Sequence, residues 1–268
     1  MTFFQVIAPE NPAFGVLHAT LLGVVEGITE FLPISSTAHL ILASKALHLA
    51  DSEFLKSFEI IIQLGAILSV VVLYWTKFWS WEVLKKLVVA FIPTGVIGLT
   101  VYKMIKVYLL GNVTVVLLAL VIGGIALIVF ERFNPEAEPT EVDFSEITYQ
   151  RALLIGLFQA IAVIPGVSRS AATIVGGSLI GITKRTIVEF SFMLAVPTML
   201  GASLLDLLKS HSALTGNYGV LGVGFIVSFF TAIVAIKSFL GYIKKKDFSV
   251  FGWYRIVLAI VYFFVFVR

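Results

Sequence analysis

Glu26 and Glu30 stand four residues apart in a largely apolar stretch, Val16 to Leu32, that runs into Pro33. On a helix ending near that proline the two carboxylates project from one face. Ionisable groups in such a segment are costly, and this pair can bind a divalent cation, act as a general base or share a proton in a transport step. Directly after the proline, Ser35, Ser36 and Thr37 place three hydroxyls at the start of the next helix, with His39 three residues beyond Ser36. A lone histidine is more often a satisfied core residue than a catalyst. Here hydroxyls and carboxylates accompany it, and a weak serine nucleophile needs a base within hydrogen-bond reach.

A second cluster reads Pro165-Gly166-Val167-Ser168-Arg169-Ser170, with Thr173 one turn on. Arginine is permanently charged, and its planar fork of donors matches phosphate oxygens. The glycine lets backbone amides approach an anion, and a helix start adds partial positive charge. An arginine serving only to pair with Glu26 or Glu30 would leave the surrounding hydroxyls without a purpose. If the fold joins the two clusters, the carboxylates and His39 face Arg169 and its hydroxyls. That is equipment for phosphoryl transfer, in which positioning and charge stabilisation supply most of the catalysis.

The elements that must position these groups lie in a membrane. The 268 residues are 59% hydrophobic and 13% charged, too few charges to clothe a soluble protein of this length, and the mean hydropathy is +1.03. Apolar runs long enough to cross or deeply enter the bilayer are Ile60 to Thr76, Leu87 to Tyr102, Val107 to Phe130, Phe190 to Leu205, Tyr218 to Ile236 and Ile256 to Val267. The expectation is an all-α polytopic membrane protein with about six transmembrane helices. Met1 to Ala13 has no basic region and does not read as a cleavable signal peptide. The absence of cysteine excludes disulfides and thiolate metal sites, and a net charge of +3 spread among loops leaves no nucleic-acid footprint.

Two hydrophobic regions, about Val16 to Leu49 and Ala152 to Thr183, are broken by proline, glycine, serine and charge, and they resemble each other. Gly23 matches Gly156, Glu26 matches Gln159, and Pro33 matches Pro165 after a one-residue gap; related apolar spans then begin near Phe58 and Phe190. Paired broken helices point to an inverted repeat of two re-entrant hairpins with a site between them, because irregular backbone is tolerated there only inside protein or beside water. A single integral membrane domain is expected, with repeat A over about 14–131, a linker over about 132–150 and repeat B over about 151–268. The linker, with Pro135, Pro139 and its acidic residues, reads as a solvated connector.

If both hairpins are re-entrant, Lys77, Lys85, Lys86, Arg132, Arg151, Lys184, Arg185, Lys244, Lys245 and Lys246 fall on one side, outnumbering Lys45, Lys56, Lys103, Lys106, Lys209 and Arg268 on the other. The first side is then cytoplasmic and both termini lie outside. Glu189, Asp206, Lys237 and Arg255 read as interfacial anchors or structural pairs.

The strings EGITEFLPISSTAH (Glu26 to His39) and PGVSRSAAT (Pro165 to Thr173) resemble the two signature motifs of the undecaprenyl-diphosphate phosphatases, also called bacitracin-resistance proteins. The similarity extends through FEIIIQLGAIL from Phe58, EFSFMLAVP from Glu189 and AIKSFL from Ala235; Ala38 stands where the family often has glycine. The resemblance implies a multi-pass enzyme of the bacterial plasma (inner) membrane that converts undecaprenyl diphosphate to the monophosphate, recycling the lipid carrier for peptidoglycan and conferring bacitracin resistance. It also implies a site opening to the outer, periplasmic face, a divalent cation such as Mg2+ or Ca2+, and a homodimer. On these residues Ser35, Ser168, Arg169, Ser170 and Thr173 hold the terminal phosphate, and Glu26 and Glu30 place the cation. Ser36 is the preferred nucleophile with Glu30 or His39 as base; water or His39 itself as the attacking group stays open. A transporter or lipid flippase is the rival reading from another class, since broken helices also build transporters.

Overall fold

A computed structural model of the chain describes residues 14–109, 112–134, 142–209, 218–244 and 246–267. Met1 to Ala13, Pro135, Glu136 and Pro139 of the connector, and Lys245 and Arg268 of the loop charges lie outside the described residues. The side chains of Lys103, Lys106 and Lys209 do too.

The first half contains α1 (Val16–Thr29), α2 (Ser36–Ala46), α3 (Glu53–Leu73), the short α4 (Trp75–Phe78), α5 (Trp81–Met104) and α6 (Val113–Phe133). The second half contains α7 (Tyr149–Ala160), α8 (Arg169–Leu179), α9 (Lys184–Lys209), α10 (Tyr218–Ile243) and α11 (Ser249–Tyr262), and no strand occurs among the described residues. Among the described residues, six helices are long and apolar enough to cross a membrane: Glu53–Leu73, Trp81–Val101, Val113–Phe133, Lys184–Asp206, Tyr218–Ile243 and Ser249–Val267. The protein is an all-α, multi-pass membrane protein. Most span starts differ from the sequence reading: those placed at Ile60, Leu87 and Phe190 begin earlier, at Glu53, Trp81 and Lys184, and the third and last spans shift as well. The third span starts at Val113 and not Val107, because the Asn112 side chain accepts the Val115 N–H at 3.3 Å, while Ile105–Leu109 forms a π turn continuing α5. The last span starts at Ser249, ahead of Ile256, because Gly252 packs its backbone against Gly124 of α6.

The broken regions are built from pieces too short to span. At 1.5 Å per residue, α1 with 14 residues is roughly 21 Å long and α7 with 12 is roughly 18 Å, against a hydrocarbon core of about 30 Å. The breaks have one construction. Ser35 (φ 71°) and Ser168 (φ 79°) adopt a backbone region unusual for a residue with a Cβ, and each caps the helix it precedes. The Ser35 hydroxyl accepts the Ala38 N–H at 3.4 Å, and Ser168 accepts the Ala171 N–H at 3.2 Å. Aligned on these caps, Gly23 with Gly156, Glu26 with Gln159 and Ser35 with Ser168 share one register without a gap, and only the prolines slip by one residue.

Each broken region leaves and returns to one end of the bundle. The Phe14 ring, just before α1, sits 5.3 Å from that of Phe54 at the start of α3. Glu146, just before α7, accepts the Thr183 N–H just before α9 at 2.9 Å. The halves also exchange partners: α1 packs on α10, and α7 packs on α5. Small residues permit this approach. A Cβ on Gly27 would lie 2.7 Å from the Ser228 carbonyl oxygen of α10, and one on Gly156 would strike the Ala90 carbonyl of α5. A core of Phe31, Phe190, Phe192, Leu194 and Phe248 fills the space between the halves.

Candidate active site

Glu30 closes the last turn of α1, its N–H still bonded to the Glu26 carbonyl at 3.0 Å. The turn through Pro33 then carries the chain back so that Ser36, at the first position of α2, donates its hydroxyl to Glu30 Oε2 at 2.5 Å. The other oxygen, Oε1, accepts from Arg169 Nη2 at 3.1 Å, across from the other half of the molecule. Arg169 Nη1 donates to the Ser191 carbonyl at 2.6 Å and to its hydroxyl at 3.3 Å. The side chains of Glu30 and Arg169 are 6% and 11% exposed, so this pair is screened little by solvent and holds its geometry.

The residues predicted to bind phosphate divide into two groups. Ser35, Ser168 and Arg169, together with Glu30, Ser36 and Thr37, line a cavity of about 530 Å3 between the halves. Ser170 and Thr173 lie behind it. Ser170 donates to the Leu32 carbonyl at 2.7 Å, tying α8 to the opposite break, and the Thr173 and Ser191 hydroxyls meet at 2.5 Å beneath the arginine. Their geometry braces Arg169. Away from this polar end, the cavity runs along α5 and α9 past Phe91, Gly95, Leu99, Met199 and Leu204.

His39 does not reach Ser36. Its Nδ1 lies 2.7 Å from the Ser35 carbonyl, its Nε2 lies 2.8 Å from the Tyr254 hydroxyl, and its ring stacks on that tyrosine. Of the two groups considered as base for the serine, Glu30 is hydrogen-bonded to it and His39 is engaged by the Ser35 carbonyl and Tyr254. Glu26 is fully buried, and both of its carboxylate oxygens lack a hydrogen-bond partner. A bare buried carboxylate fits a cation, whereas the two oxygens of Glu30 are already engaged. Among the described residues no group of three or more His, Asp or Glu side chains converges on one point. Glu26 is thus a carboxylate with both oxygens buried and unpartnered, and it lies outside the lining of the cavity that holds Glu30, Ser36 and Arg169.

Arg255 is the residue the sequence reading undervalued. It is no interfacial anchor: it is fully buried, and its guanidinium donates to the carbonyls of Gly166 at 2.6 Å, Val167 at 3.1 Å, Ala119 at 3.1 Å and Pro33 at 3.5 Å. One side chain therefore binds the backbone of both breaks. The signal was present in a charged residue directly beside the last apolar run, but its partners are carbonyls, which a sequence does not advertise. Gly123 makes room for it, since a Cβ there would collide with the guanidinium. The other three charged groups differ among themselves: Glu189 lies 3.9 Å from Arg185, Lys237 is exposed on α10, and Asp206 lines the far end of the cavity.

The family model of the bacitracin resistance protein BacA matches residues 19–261, nearly the whole chain and both breaks. The chain belongs to this family. Relatives named undecaprenyl-diphosphatase bear this out. The one from Aquifex aeolicus is 48% identical over 253 residues, covering 93% of this chain and 98% of its own. The one from Bdellovibrio bacteriovorus is 49% identical over 247 residues, covering 91% and 94%. The one from Methanococcus aeolicus is 46% identical over 255 residues, covering 94% and 99%. Membership in the BacA family agrees with the composition, the six membrane-length helices and the two motifs on which the resemblance was drawn.

Proposed function

We propose that this protein is an undecaprenyl-diphosphate phosphatase: it hydrolyses the lipid diphosphate to undecaprenyl phosphate and inorganic phosphate, returning the carrier to peptidoglycan synthesis and conferring resistance to bacitracin. The observation that carries the reading is the single carboxylate of Glu30 that holds a serine hydroxyl on one oxygen and an arginine on the other, in a cavity open to apolar surface. The polar end suits a phosphate and the α5–α9 end suits a hydrocarbon chain.

Ser36 is the nucleophile in this account. Its Oγ attacks the terminal phosphorus and the anhydride bond breaks. Glu30 takes the serine proton and passes it to the leaving lipid phosphate. Arg169 lines the cavity beside Ser36 with its Nε unpartnered, and its permanent charge offsets the charge that grows on the transferring phosphoryl oxygens. The starts of α2 and α8 add oriented N–H groups. Ser35 and Ser168 hold those starts in place, and Ser170 and Thr173 keep Arg169 aimed. Glu26 is the residue that would hold a divalent cation, which would supply positive charge next to Glu30 and Arg169 when bound. Hydrolysis of the phosphoserine by water then restores the enzyme.

The same proposal places α1–α2 and α7–α8 in the bilayer as re-entrant hairpins of an inverted repeat. Support comes from their length and from the return of each to its starting end. The basic loops favour an outward-facing site: Lys86, Arg151 and Lys184 belong to one network of contacts at the starts of α5, α7 and α9. The homodimer belongs to the proposal too, and cross-linking in native membranes tests it.

The deciding experiment is phosphate release from undecaprenyl diphosphate by purified protein in detergent, with Mg2+, Ca2+ or a chelator. Release that requires the cation is expected. Folded protein that releases none under any condition would favour transport, for which detergent leaves no sidedness to exploit.

A further inference from the structure

Gln159 sits in α7 where Glu26 sits in α1, and nothing in the phosphoryl-transfer account uses it. It is 1% exposed. Its Nε2 donates to the hydroxyls of Thr94 at 2.8 Å and Thr198 at 3.1 Å. Each threonine directly follows a proline inside its helix, Pro93 in α5 and Pro197 in α9. Each also spends its only hydroxyl hydrogen elsewhere, Thr94 on the Gly156 carbonyl at 3.0 Å and Thr198 on the Leu194 carbonyl at 2.8 Å. Both hydroxyls can therefore only accept from Gln159, which fixes the amide with its nitrogen toward them. Its Oε1 is left buried and without a partner.

Gln159, Thr94 and Thr198 line the same cavity as Glu30, Ser36 and Arg169. A bare carbonyl oxygen repels phosphate oxygens, which are themselves acceptors, and a hydrocarbon tail offers it nothing. Its partner must carry a hydrogen. In a hydrolase acting through Ser36 the reactant that does so is water, and an unsatisfied buried acceptor is costly enough that a water is its natural complement.

We infer that Gln159 is the water-positioning residue for the second half of the reaction, its Oε1 oriented by Thr94 and Thr198. This rests on the reading of Ser36 as nucleophile. The water oxygen attacks the phosphorus of phosphoserine, and the bond from phosphorus to Ser36 Oγ breaks. One water proton passes through Glu30 to Oγ, and the other stays on the released hydrogen phosphate. Gln159 accepts that second hydrogen during the approach and so aims a lone pair at phosphorus.

The test uses undecaprenyl diphosphate labelled in its terminal phosphate, incubated in detergent with full-length wild type, Gln159→Met, and the double variant Thr94→Val/Thr198→Val, which retains the amide but frees its orientation. Lipid monophosphate, free phosphate and label on the protein are measured over the first turnover, with thermal unfolding of each protein alongside. In wild type the two products are expected to appear together. In Gln159→Met the monophosphate should form at close to the wild-type rate, while free phosphate slows by about 100-fold and label collects on Ser36. The double variant should show the same pattern, and it decides the matter if Gln159→Met does not fold. Equal slowing of both products, or no slowing, in folded variants would overturn the inference and leave the phosphatase reading standing. Absence of monophosphate formation by wild type would instead overturn the reading itself.

Discussion

Glu30 and Arg169, 139 residues apart in the chain, meet at 3.1 Å through one carboxylate oxygen and one guanidinium nitrogen. The other oxygen of that carboxylate holds Ser36, and the other terminal nitrogen of that guanidinium holds Ser191. The contact joins the two broken segments, and it makes the Ser36 hydroxyl, the Glu30 carboxylate and the Arg169 guanidinium a single hydrogen-bonded unit.

Arg169→Lys keeps the charge and loses the fork. An ammonium cannot hold Glu30, the Ser191 carbonyl and a phosphate in fixed directions at once. We expect turnover to fall by about 10²–10³-fold, the scale of losing one oriented transition-state donor. The unfolding temperature in detergent should change little. Steady-state phosphate release beside thermal unfolding checks both.

Much of this site was legible in the sequence because its parts sit within two short strings. Glu30, Ser36 and Arg169 were all candidates before any geometry, and the breaks at Pro33 and Pro165 announced that the helices around them could not be simple spans. Which of the two groups meets Ser36 was not legible. His39 and Glu30 flank Ser36, the histidine being the nearer along the chain, yet the turn with the positive φ of Ser35 brings the serine back to the carboxylate and leaves the imidazole against Tyr254. Arg255, Thr94 and Thr198 were missed for another reason. They act from α11, α5 and α9, on carbonyls or on one amide, and such partners leave no spacing to read. The span boundary near Val107 was misplaced because apolar residues continue through the π turn and only the Asn112 cap marks the new helix.

Glu26→Gln removes the buried, unpartnered carboxylate while keeping the side chain's size. If Glu26 places the cation, the concentration of Mg2+ or Ca2+ giving half-maximal activity should rise at least tenfold, the lower end of the roughly 10–100-fold cost of losing even an outer partner of a metal site. Saturating cation should recover much of the rate. Activity titrated against free cation reports this, and an unchanged midpoint would remove Glu26 from the cation's shell.

Arg255→Leu leaves the Pro33, Ala119, Gly166 and Val167 carbonyls without their donor. Each buried polar group stranded in this way costs about 1–3 kcal/mol. The variant should unfold at a distinctly lower temperature, and the folded fraction should lose activity because both breaks drift apart. Arg255→Lys, a smaller donor, should fall between. Unfolding in detergent, with turnover normalised to folded protein, measures the two effects separately.

The most direct test of the central claim is the rate of lipid monophosphate formation by Glu30→Gln beside wild type, at saturating cation and substrate. Glutamine fills the same space and still accepts the Ser36 hydrogen bond, but it cannot take the proton. The account predicts a loss of about 10²–10⁴-fold with the fold retained; a rate within a few-fold of wild type would contradict the assignment of Glu30 as the base that activates Ser36.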